Sequence, residues 1–337
     1  MNIKNKKLQI YAAGVLTLTA VLSGCSEKSA SQGAVAEPMA YEAGTLIMGT
    51  GEEGVQIHRA GKAIAEVINN TVPGIHVAVE TTKGTAINAV NVSEGDLDLA
   101  LVNGDVAYDA VNGVYAFEGE ALENLRVLGA CYQEVSGWMA LKKTELTHVN
   151  QLTGKIISSG PIASATELAS DMVFKILGID QNNTEIYSDS LTNSVKHIKR
   201  ETADAVHAFA TVPYRAHEEL ASEYESVVLG YTEEELEQIL EMDERYFKTV
   251  IPAGTYAGQD EEIPTFGMKV LLCASAEMDE DLAYEIARAL DLNGPAYTGE
   301  HRFMAAIQEK EFLCNDLPIT LHEGAKRYYQ EVGFLKD

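Results

Sequence analysis

The sequence is poor in basic residues and in cysteine, and both shortages exclude classes of protein. Its 337 residues include 25 Lys and Arg against 51 Asp and Glu, a formal net charge of −26 at pH 7. Nucleic acids repel a polyanion of this kind, so we expect no nucleic-acid partner. Four cysteines are too few for a disulfide framework. One disulfide among Cys131, Cys273 and Cys314 stays open, although Cys131 and Cys273 lie in apolar runs typical of buried residues.

Sequence motifs for metal binding and for hydrolysis are also missing. The eight histidines form no H-x-x-x-H pair and have no cysteine at zinc-ligand spacing, so we expect no metal site. The nucleophile motif G-x-S-x-G is absent, and no Ser or Cys has a base that the sequence identifies. The sequence therefore indicates a protein that is not an enzyme. A surface hydrolase using Ser164 and a remote histidine is the alternative.

The first 25 residues have the layout of a bacterial lipoprotein signal. Three lysines precede an uncharged run over residues 8–22, which is shorter than the roughly 20 apolar residues of a membrane helix. The segment Leu22-Ser23-Gly24-Cys25 resembles the lipobox, in which the cysteine is lipidated. We therefore predict a signal peptide over 1–24, a lipid on Cys25 and a flexible tether over 25–41. The protein is then extracytoplasmic and anchored to the cell membrane, in the periplasm or on the outer cell surface.

Short apolar strands alternate with amphipathic helices along the rest of the chain. Residues 44–49 predict a strand and 56–68 a helix, and the same rhythm restarts with a strand over 155–159 and a helix over 166–177. The alternation indicates an α/β fold with two α/β lobes. Ligands of open α/β sheets bind at the carboxyl ends of the strands, so we expect a ligand cleft between the lobes.

The turn after the first strand has the spacing G-x-G-x-x-G over residues 49–54. This spacing is typical of dinucleotide sites, but two adjacent glutamates lie where a pyrophosphate binds, so we expect no cofactor. We interpret Gly54, Val55 and Gln56 as part of a cleft whose backbone N–H groups bind a smaller anion. A turn that only connects two elements is the alternative.

The remaining candidate ligand-binding residues lie at the starts of three further predicted helices. They are Thr85 and Asn88; Asn103 and Asp105; and Ser164, Ala165, Thr166 and Glu167. Structural roles are the alternative for each group. A threonine before Asn88 can cap its helix, Ser164 with Glu167 fits a capping box, and Asp105 fits a helix N-terminal charge.

Several motifs, in their order along the chain, resemble the TAXI solute receptors of tripartite ATP-independent periplasmic (TRAP) transporters. They are the glycine-rich turn over 49–54, Gly84-Thr85 with Asn88, residues 98–102 with Asp105, residues 124–126, 152–155 and 251–256. The most specific is the run over 321–333, which is similar to the family pattern Pro-x-His-x-Gly-Ala-x-x-Tyr-Tyr-x-Glu-x-Gly. The resemblance extends from about Gly44 to Gly333.

The resemblance implies a periplasmic-binding-protein type II-like fold with a ligand cleft between two α/β lobes. We expect lobe 1 over 42–137 and 268–337 and lobe 2 over 138–267. The implied function is a monomeric receptor that captures a small carboxylate-bearing solute, an organic acid or an amino acid. The receptor then delivers the solute to TRAP membrane subunits. An extracytoplasmic ligand-sensing module of a membrane signalling protein is the alternative.

Two places in the sequence depart from the family pattern at the implied ligand site. Gln56 and Ile57 stand where the family usually has a tyrosine pair, and Ala163 and Ala165 stand where it has glycines. Each alanine methyl restricts the backbone near a ligand, and the loss of a tyrosine removes an aromatic wall. These positions mark where the ligand contacts differ from those of the family.

Overall fold

The computed structural model describes residues 41–335 except Ala163. The predicted signal peptide, Cys25 and the tether before residue 41 lie outside the described residues. Within the described part, no helix combines the length and the apolar character needed to cross a membrane.

The described residues form ten strands in one sheet. The strands are β1 (Gly44–Gly49), β2 (Ile75–Glu80), β3 (Leu99–Asn103), β4 (Leu125–Leu141), β5 (Ile156–Ser158), β6 (Glu185–Tyr187), β7 (Ala205–Ala210), β8 (Ser226–Leu229), β9 (Phe247–Ile251) and β10 (Ile263–Ser275). Their order is β2-β1-β3-β10-β4-β7-β5-β6, with β8 beside β4 and β9 beside β10. β1 runs parallel to β2 and β3, and β5 runs parallel to β6 and β7.

The described residues also form ten α-helices. The helices are α1 (Gln56–Thr71), α2 (Thr85–Glu94), α3 (Gly104–Asn112), α4 (Ala165–Leu177), α5 (Leu191–Lys199), α6 (Arg215–Glu223), α7 (Glu233–Met242), α8 (Glu280–Leu292), α9 (Gly294–Glu300) and α10 (Glu323–Glu331). The first helix shows why these segments are helical. Ala60, Ile64 and Ile68 recur every four residues and are fully buried, so one face of α1 packs on the sheet.

Two long antiparallel strands, β4 and β10, run through the centre of the sheet. Asn103 at the carboxyl end of β3 pairs with Val270, and Ala210 at the carboxyl end of β7 pairs with Val135. In the β4–β10 register, Val135 in turn pairs with Gly267, three residues from Val270. The carboxyl ends of β3 and β7 therefore meet at the same stretch of β4 and β10, from opposite sides.

The hydrophobic core is divided into four clusters that fall into two groups. Two clusters take their buried residues from 41–132 and 270–329, and the other two take theirs from 135–268. We call these groups lobe 1 and lobe 2. The predicted α/β fold with two lobes is confirmed. The predicted limits of the lobes stay a prediction, because β4 and β10 cross from one lobe to the other without a break.

The three cysteines of the described chain are free and buried. Burial raises the pKa of the Cys131 and Cys273 thiols far above the ordinary value. The predicted burial of Cys131 and Cys273 is confirmed, and the structure has no disulfide among Cys131, Cys273 and Cys314.

Candidate functional site

The turn between β1 and α1 is held against the sheet by Thr50. This side chain is fully buried, and its Oγ1 donates to the carbonyl of Glu80 at 2.9 Å. Because that hydroxyl proton is used, His58 donates from Nδ1 to the same oxygen at 3.0 Å. A side chain at Gly61 is excluded, since a Cβ there lies 2.2 Å from the Thr50 methyl. The turn is therefore rigid on its buried side.

Two side chains from the next loop and helix bind the backbone of the same turn. Asn88 donates from Nδ2 to the carbonyls of Thr50 (2.6 Å) and Leu101 (2.9 Å), and Thr82 donates to the Thr50 carbonyl at 2.8 Å. Asn88 is fully buried, and its Oδ1 has no hydrogen-bond partner among the described residues. The structure thus gives Asn88 a structural role that sequence reasoning missed, and it leaves one acceptor open.

Three helices of lobe 1 begin without a side-chain cap at the carboxyl edge of strands β1, β2 and β3. The residues before them are Val55 for α1, Gly84 for α2 and Asn103 for α3, and none accepts a capping hydrogen bond. The alternative in which a threonine caps α2 is therefore wrong: Gly84, with φ +128°, occupies the cap position. In α3 the N–H groups of Asp105 and Val106 already donate, to the Met268 sulfur and to the Asp105 carboxylate. The uncapped N–H groups at the starts of α1 and α2 are therefore the main groups available to an anion.

The predicted residues of lobe 1 lie at these helix starts. Gly54 has φ +87°, a conformation that favours glycine, and it leads into the exposed Val55 and Gln56. Thr85 is the half-buried first residue of α2. These residues share the carboxyl edge of the β1, β2 and β3 strands.

Asp105 lies in the first turn of α3, where it contacts β10, one of the two strands that run through both lobes. Its N–H donates to the Met268 sulfur at 3.3 Å, and its Oδ1 accepts from the N–H of Val106 at 2.7 Å. Burial raises the pKa of Asp105, against the lowering effects of that hydrogen bond and of Arg245. Glu134 of β4 is opposite Met268 in the register, and burial together with Asp105 raises its pKa to about 7.

The second-lobe turn follows β5 and leads into α4. Gly160 has φ +91°, and a Cβ there lies 2.5 Å from the Thr166 methyl, so this position requires glycine. Ser164 caps α4 by accepting from the N–H of Glu167 at 3.2 Å. The N–H of Ser164 donates to the Pro161 carbonyl, which is not the reciprocal bond of the predicted capping box. Ala163 lies outside the described residues.

The other predicted residues of α4 differ in where they point. Thr166 is buried, and its Oγ1 accepts from the N–H of Phe209 at 3.1 Å, so its hydroxyl holds α4 to β7. Ala165 is exposed as the first residue of α4, and Glu167 is half-buried with its carboxylate 3.5 Å from the Ser188 hydroxyl. Ala165 and Glu167 are therefore the more accessible pair.

The two lobes contact each other through Gln56 and Thr211. Gln56 starts α1 in lobe 1, and its Nε2 donates to Oγ1 of Thr211, which directly follows β7 in lobe 2. A cavity of about 420 Å³ lies beside Val212 and Pro213, and residues of both lobes line it, among them Phe303 and Thr255. Sequence reasoning missed Thr211, although its position near the carboxyl end of an apolar run over 205–209 was a usable signal.

A second contact between the lobes is centred on Arg245. This residue precedes β9 and donates to Asp243 of its own segment at 2.6 Å. It also reaches Asp109 of α3 at 3.4 Å, and its guanidinium lies 5.2 Å from the centre of the Tyr115 ring. The neighbouring Glu244 accepts from the Tyr108 hydroxyl at 3.4 Å. We call this set the Arg245 clasp, and no sequence motif marks it.

The geometry does not support the alternative in which Ser164 is the nucleophile of a surface hydrolase. The Ser164 hydroxyl oxygen accepts the capping bond of α4. The serines that do contact a histidine at short distance in lobe 2 are Ser136 and Ser170, both bonded to His207. All three residues are at most 1% exposed, so a substrate cannot reach them.

Comparison with known proteins gives one family match and several structural matches. The model of the NMT1-like family matches residues 48–333. A TctC solute binding protein from Polaromonas is 12% identical with a TM-score of 0.55, over 86% of this chain and 98% of that one. PhnD1 from Prochlorococcus marinus (MIT 9301), in complex with methylphosphonate, is 11% identical with a TM-score of 0.46, over 86% and 97%. At these identities, the Polaromonas match supports the two-lobed fold and nothing finer.

Proposed function

We propose that this chain, which belongs to the NMT1-like family, is an extracytoplasmic solute-binding receptor of a TRAP transporter. Its ligand is a small carboxylate-bearing solute, an organic acid or an amino acid, which it delivers to the transporter's membrane subunits. The observation that carries this proposal is the set of three uncapped helix starts in lobe 1. They lie at the sheet edge where open α/β folds bind ligands.

Backbone N–H groups are the proposed partners of the ligand's carboxylate. The predicted site residues include no Lys or Arg, and Asp105 and Glu167 add negative charge. A helix N-terminus carries a partial positive charge and unsatisfied N–H groups, so it binds an anion without a basic side chain. The strongly negative net charge of the whole chain is therefore compatible with an anionic ligand.

Closure of the two lobes is the proposed signal to the membrane subunits. The Gln56–Thr211 bond and the Arg245 clasp join residues of lobe 1 to residues of lobe 2. We propose that these contacts form when the lobes close, with residues 42–137 and 268–337 moving against 138–267. Bending within β4 and β10 then provides the hinge.

The structure motivates a narrower role for Gln56 than ligand contact. Its amide is engaged by Thr211 across the cleft. The family that this chain resembles usually has a tyrosine pair after the first turn. Gln56 therefore replaces part of an aromatic wall with a polar contact between the lobes. We propose that Gln56 acts mainly in closure, and that Val55, Thr85 and Ala165 lie nearer the ligand.

A ligand screen tests the proposed function directly. Organic acids and amino acids are added singly to the purified chain, and thermal unfolding is followed. A solute present at 100 times its Kd stabilises the folded state by about 2.7 kcal/mol. The replacement Gly160→Val, which crowds Thr166 in the second-lobe turn, is expected to abolish that shift. If no small solute changes the melting temperature, the receptor proposal fails.

The lipid anchor at Cys25 needs a separate test, because this residue lies outside the described part of the chain. We propose that the cysteine carries a lipid and holds the protein at the membrane. Cells that express Cys25→Ser are expected to release the protein from the membrane fraction, whereas cells that express Cys131→Ser are not. Equal membrane retention of both variants contradicts the anchor.

A further inference from the structure

A chain of four hydrogen bonds runs through the interior of lobe 2. Ser136 contacts the Tyr231 hydroxyl at 2.6 Å and Nε2 of His207 at 2.8 Å. On the other side of the imidazole, Nδ1 of His207 contacts the Ser170 hydroxyl at 2.7 Å. Ser170 in turn donates to the backbone carbonyl of Ser159 at 3.0 Å. The five residues come from five different segments of the lobe, and the hydrogen bonds join these segments.

The last bond determines the direction of every other bond in the chain. Since the Ser170 hydroxyl gives its proton to a carbonyl, it must accept from His207, whose proton is therefore on Nδ1. The neutral imidazole then accepts at Nε2 from Ser136, and Ser136 accepts from Tyr231. The chain is thus a one-way series of donors that starts at the Tyr231 hydroxyl and ends at the Ser159 carbonyl.

The surroundings of the imidazole hold it neutral and in one orientation. His207 is fully buried, and burial together with His217 lowers its pKa to about 3. The indole of Trp138 stacks on the imidazole at 4.5 Å between centres, with 3° between the planes. With both ring nitrogens bonded and one face covered, His207 cannot rotate without breaking the chain.

Two members of the chain, Ser136 and Ser159, lie at functionally different places. Ser136 is in β4 beside the crossing point of the lobes, and its carbonyl accepts from Thr265 of β10 at 2.6 Å. Ser159 immediately precedes Gly160, whose positive φ of +91° begins the second-lobe turn. The chain therefore connects both crossing strands with the backbone of a candidate ligand turn.

We propose that His207 is a positioning residue, which fixes the second-lobe turn at Ser159–Ile162 relative to the hinge formed by β4 and β10. This inference rests on the proposed function, because it takes that turn as part of the ligand cleft. A purely apolar core can hold a helix to a sheet, but it does not fix one carbonyl oxygen in direction. Four consecutive directional bonds do so.

Two replacements of the histidine separate the halves of the chain. His207→Asn retains a donor near the Nδ1 position for Ser170, whereas His207→Gln places its amide near the Nε2 position and leaves Ser170 without its donor. Leu236→Ala is the control, because Leu236 is fully buried in the same core and contributes no polar group. Hydrogen exchange of backbone amides is measured on the full-length chain at pH 7 without ligand.

The expected result is a local change in exchange. Loss of one bond of the chain corresponds to roughly tenfold faster exchange. We expect that change for the N–H groups of Ser159 and Ser164, which donate to the carbonyls of Tyr187 and Pro161, in His207→Gln, with the lobe 1 turn at residues 50–54 unchanged. His207→Asn is expected to stay near the wild-type rate, and Leu236→Ala to speed exchange throughout lobe 2. Ser170→Ala provides the same test if His207→Gln does not fold.

The inference is overturned if His207→Gln and Leu236→Ala change exchange in the same uniform way, or if the turn is unaffected. Such a result leaves His207 as a core residue only. Because the exchange experiment is carried out without ligand, a negative result leaves the receptor proposal unaffected. The ligand screen tests that proposal separately.

Discussion

Gln56 and Thr211 are joined by a hydrogen bond between their side chains, although 155 residues separate them in the chain. One belongs to lobe 1 and the other to lobe 2. Thr211 is only 3% exposed, so its hydroxyl lies in a contact that water does not easily replace.

Replacement of Gln56 by alanine is expected to favour the open form. A hydrogen bond of this kind contributes about 0.5–1.5 kcal/mol, so the ratio of open to closed molecules increases roughly two- to tenfold. Small-angle X-ray scattering should then report a larger radius of gyration. Lys62→Ala, an exposed change on the same helix, is the control. An unchanged radius for Gln56→Ala contradicts a role in closure.

Replacement of Arg245 by methionine is expected to destabilise the protein most at neutral pH. Burial raises the pKa of Asp109, and Arg245 opposes that rise while it is also hydrogen-bonded to Asp243, so its loss leaves two half-buried carboxylates without a cation. Protonation of Asp109 in acid should reduce the difference in stability from wild type. Urea unfolding of both proteins at pH 7 and pH 4 measures this difference in the free energy of unfolding. The exposed pair of Arg215 and Glu219 provides the control Arg215→Met, for which we expect less than about 0.5 kcal/mol.

Glu134 is expected to make the folded state less stable as pH rises towards 7. Its pKa is about 7 in the folded protein against 4.5 as its ordinary value, so the unfolded chain loses this proton first. The stability associated with the protonated form is complete below pH 4.5 and is lost between pH 4.5 and 7, by at most about 1.4 kcal/mol per pH unit. Glu134→Gln should therefore gain stability over wild type across this window. A constant difference between pH 4.5 and 8 contradicts the assignment, and the exposed Glu237→Gln is the control.

His207 is expected to make the protein sensitive to acid. Its pKa is lowered to about 3 from 6.5, so the unfolded chain binds a proton more readily than the folded one as pH falls below 6.5. Stability is then lost progressively between pH 6.5 and 3, and His207→Asn should reduce that loss. Urea unfolding at pH 7 and pH 5 can be followed by fluorescence, because Trp138 is the single tryptophan and stacks on the imidazole. Equal acid sensitivity of both proteins counts against this role.

Asn88→Ala is expected to destabilise lobe 1 and loosen the first turn. The change removes the two hydrogen bonds from Asn88 to the carbonyls of Thr50 and Leu101 and leaves Thr82 as the side-chain donor to the Thr50 carbonyl, at a cost of about 2–4 kcal/mol. Chemical denaturation measures the loss. Asn70→Ala on the exposed face of α1 should change stability by less than about 0.5 kcal/mol. If the two alanine variants are equally stable, Asn88 does not hold the turn.

Much of the fold follows from local patterns in the sequence. The strand at residues 44–49 and the helix from Gln56 were predictable because apolar periodicity and glycine turns depend only on nearby residues. The same is true of the helix starts that carry Thr85, Asp105 and Ala165. The full length of β10 was not predictable, because residues 263–267 become a strand by pairing with β9.

The roles of the site residues were decided by tertiary structure. Sequence reasoning placed Asn88 and Thr166 at helix starts and offered them as ligand contacts, but their polar groups bind the backbone of distant segments. The Arg245 clasp joins residues 136 positions apart. Local composition determines whether a segment forms a strand, a turn or a helix. Which side chain finds which partner depends on how the strands are ordered in the sheet, and only the folded chain establishes that order.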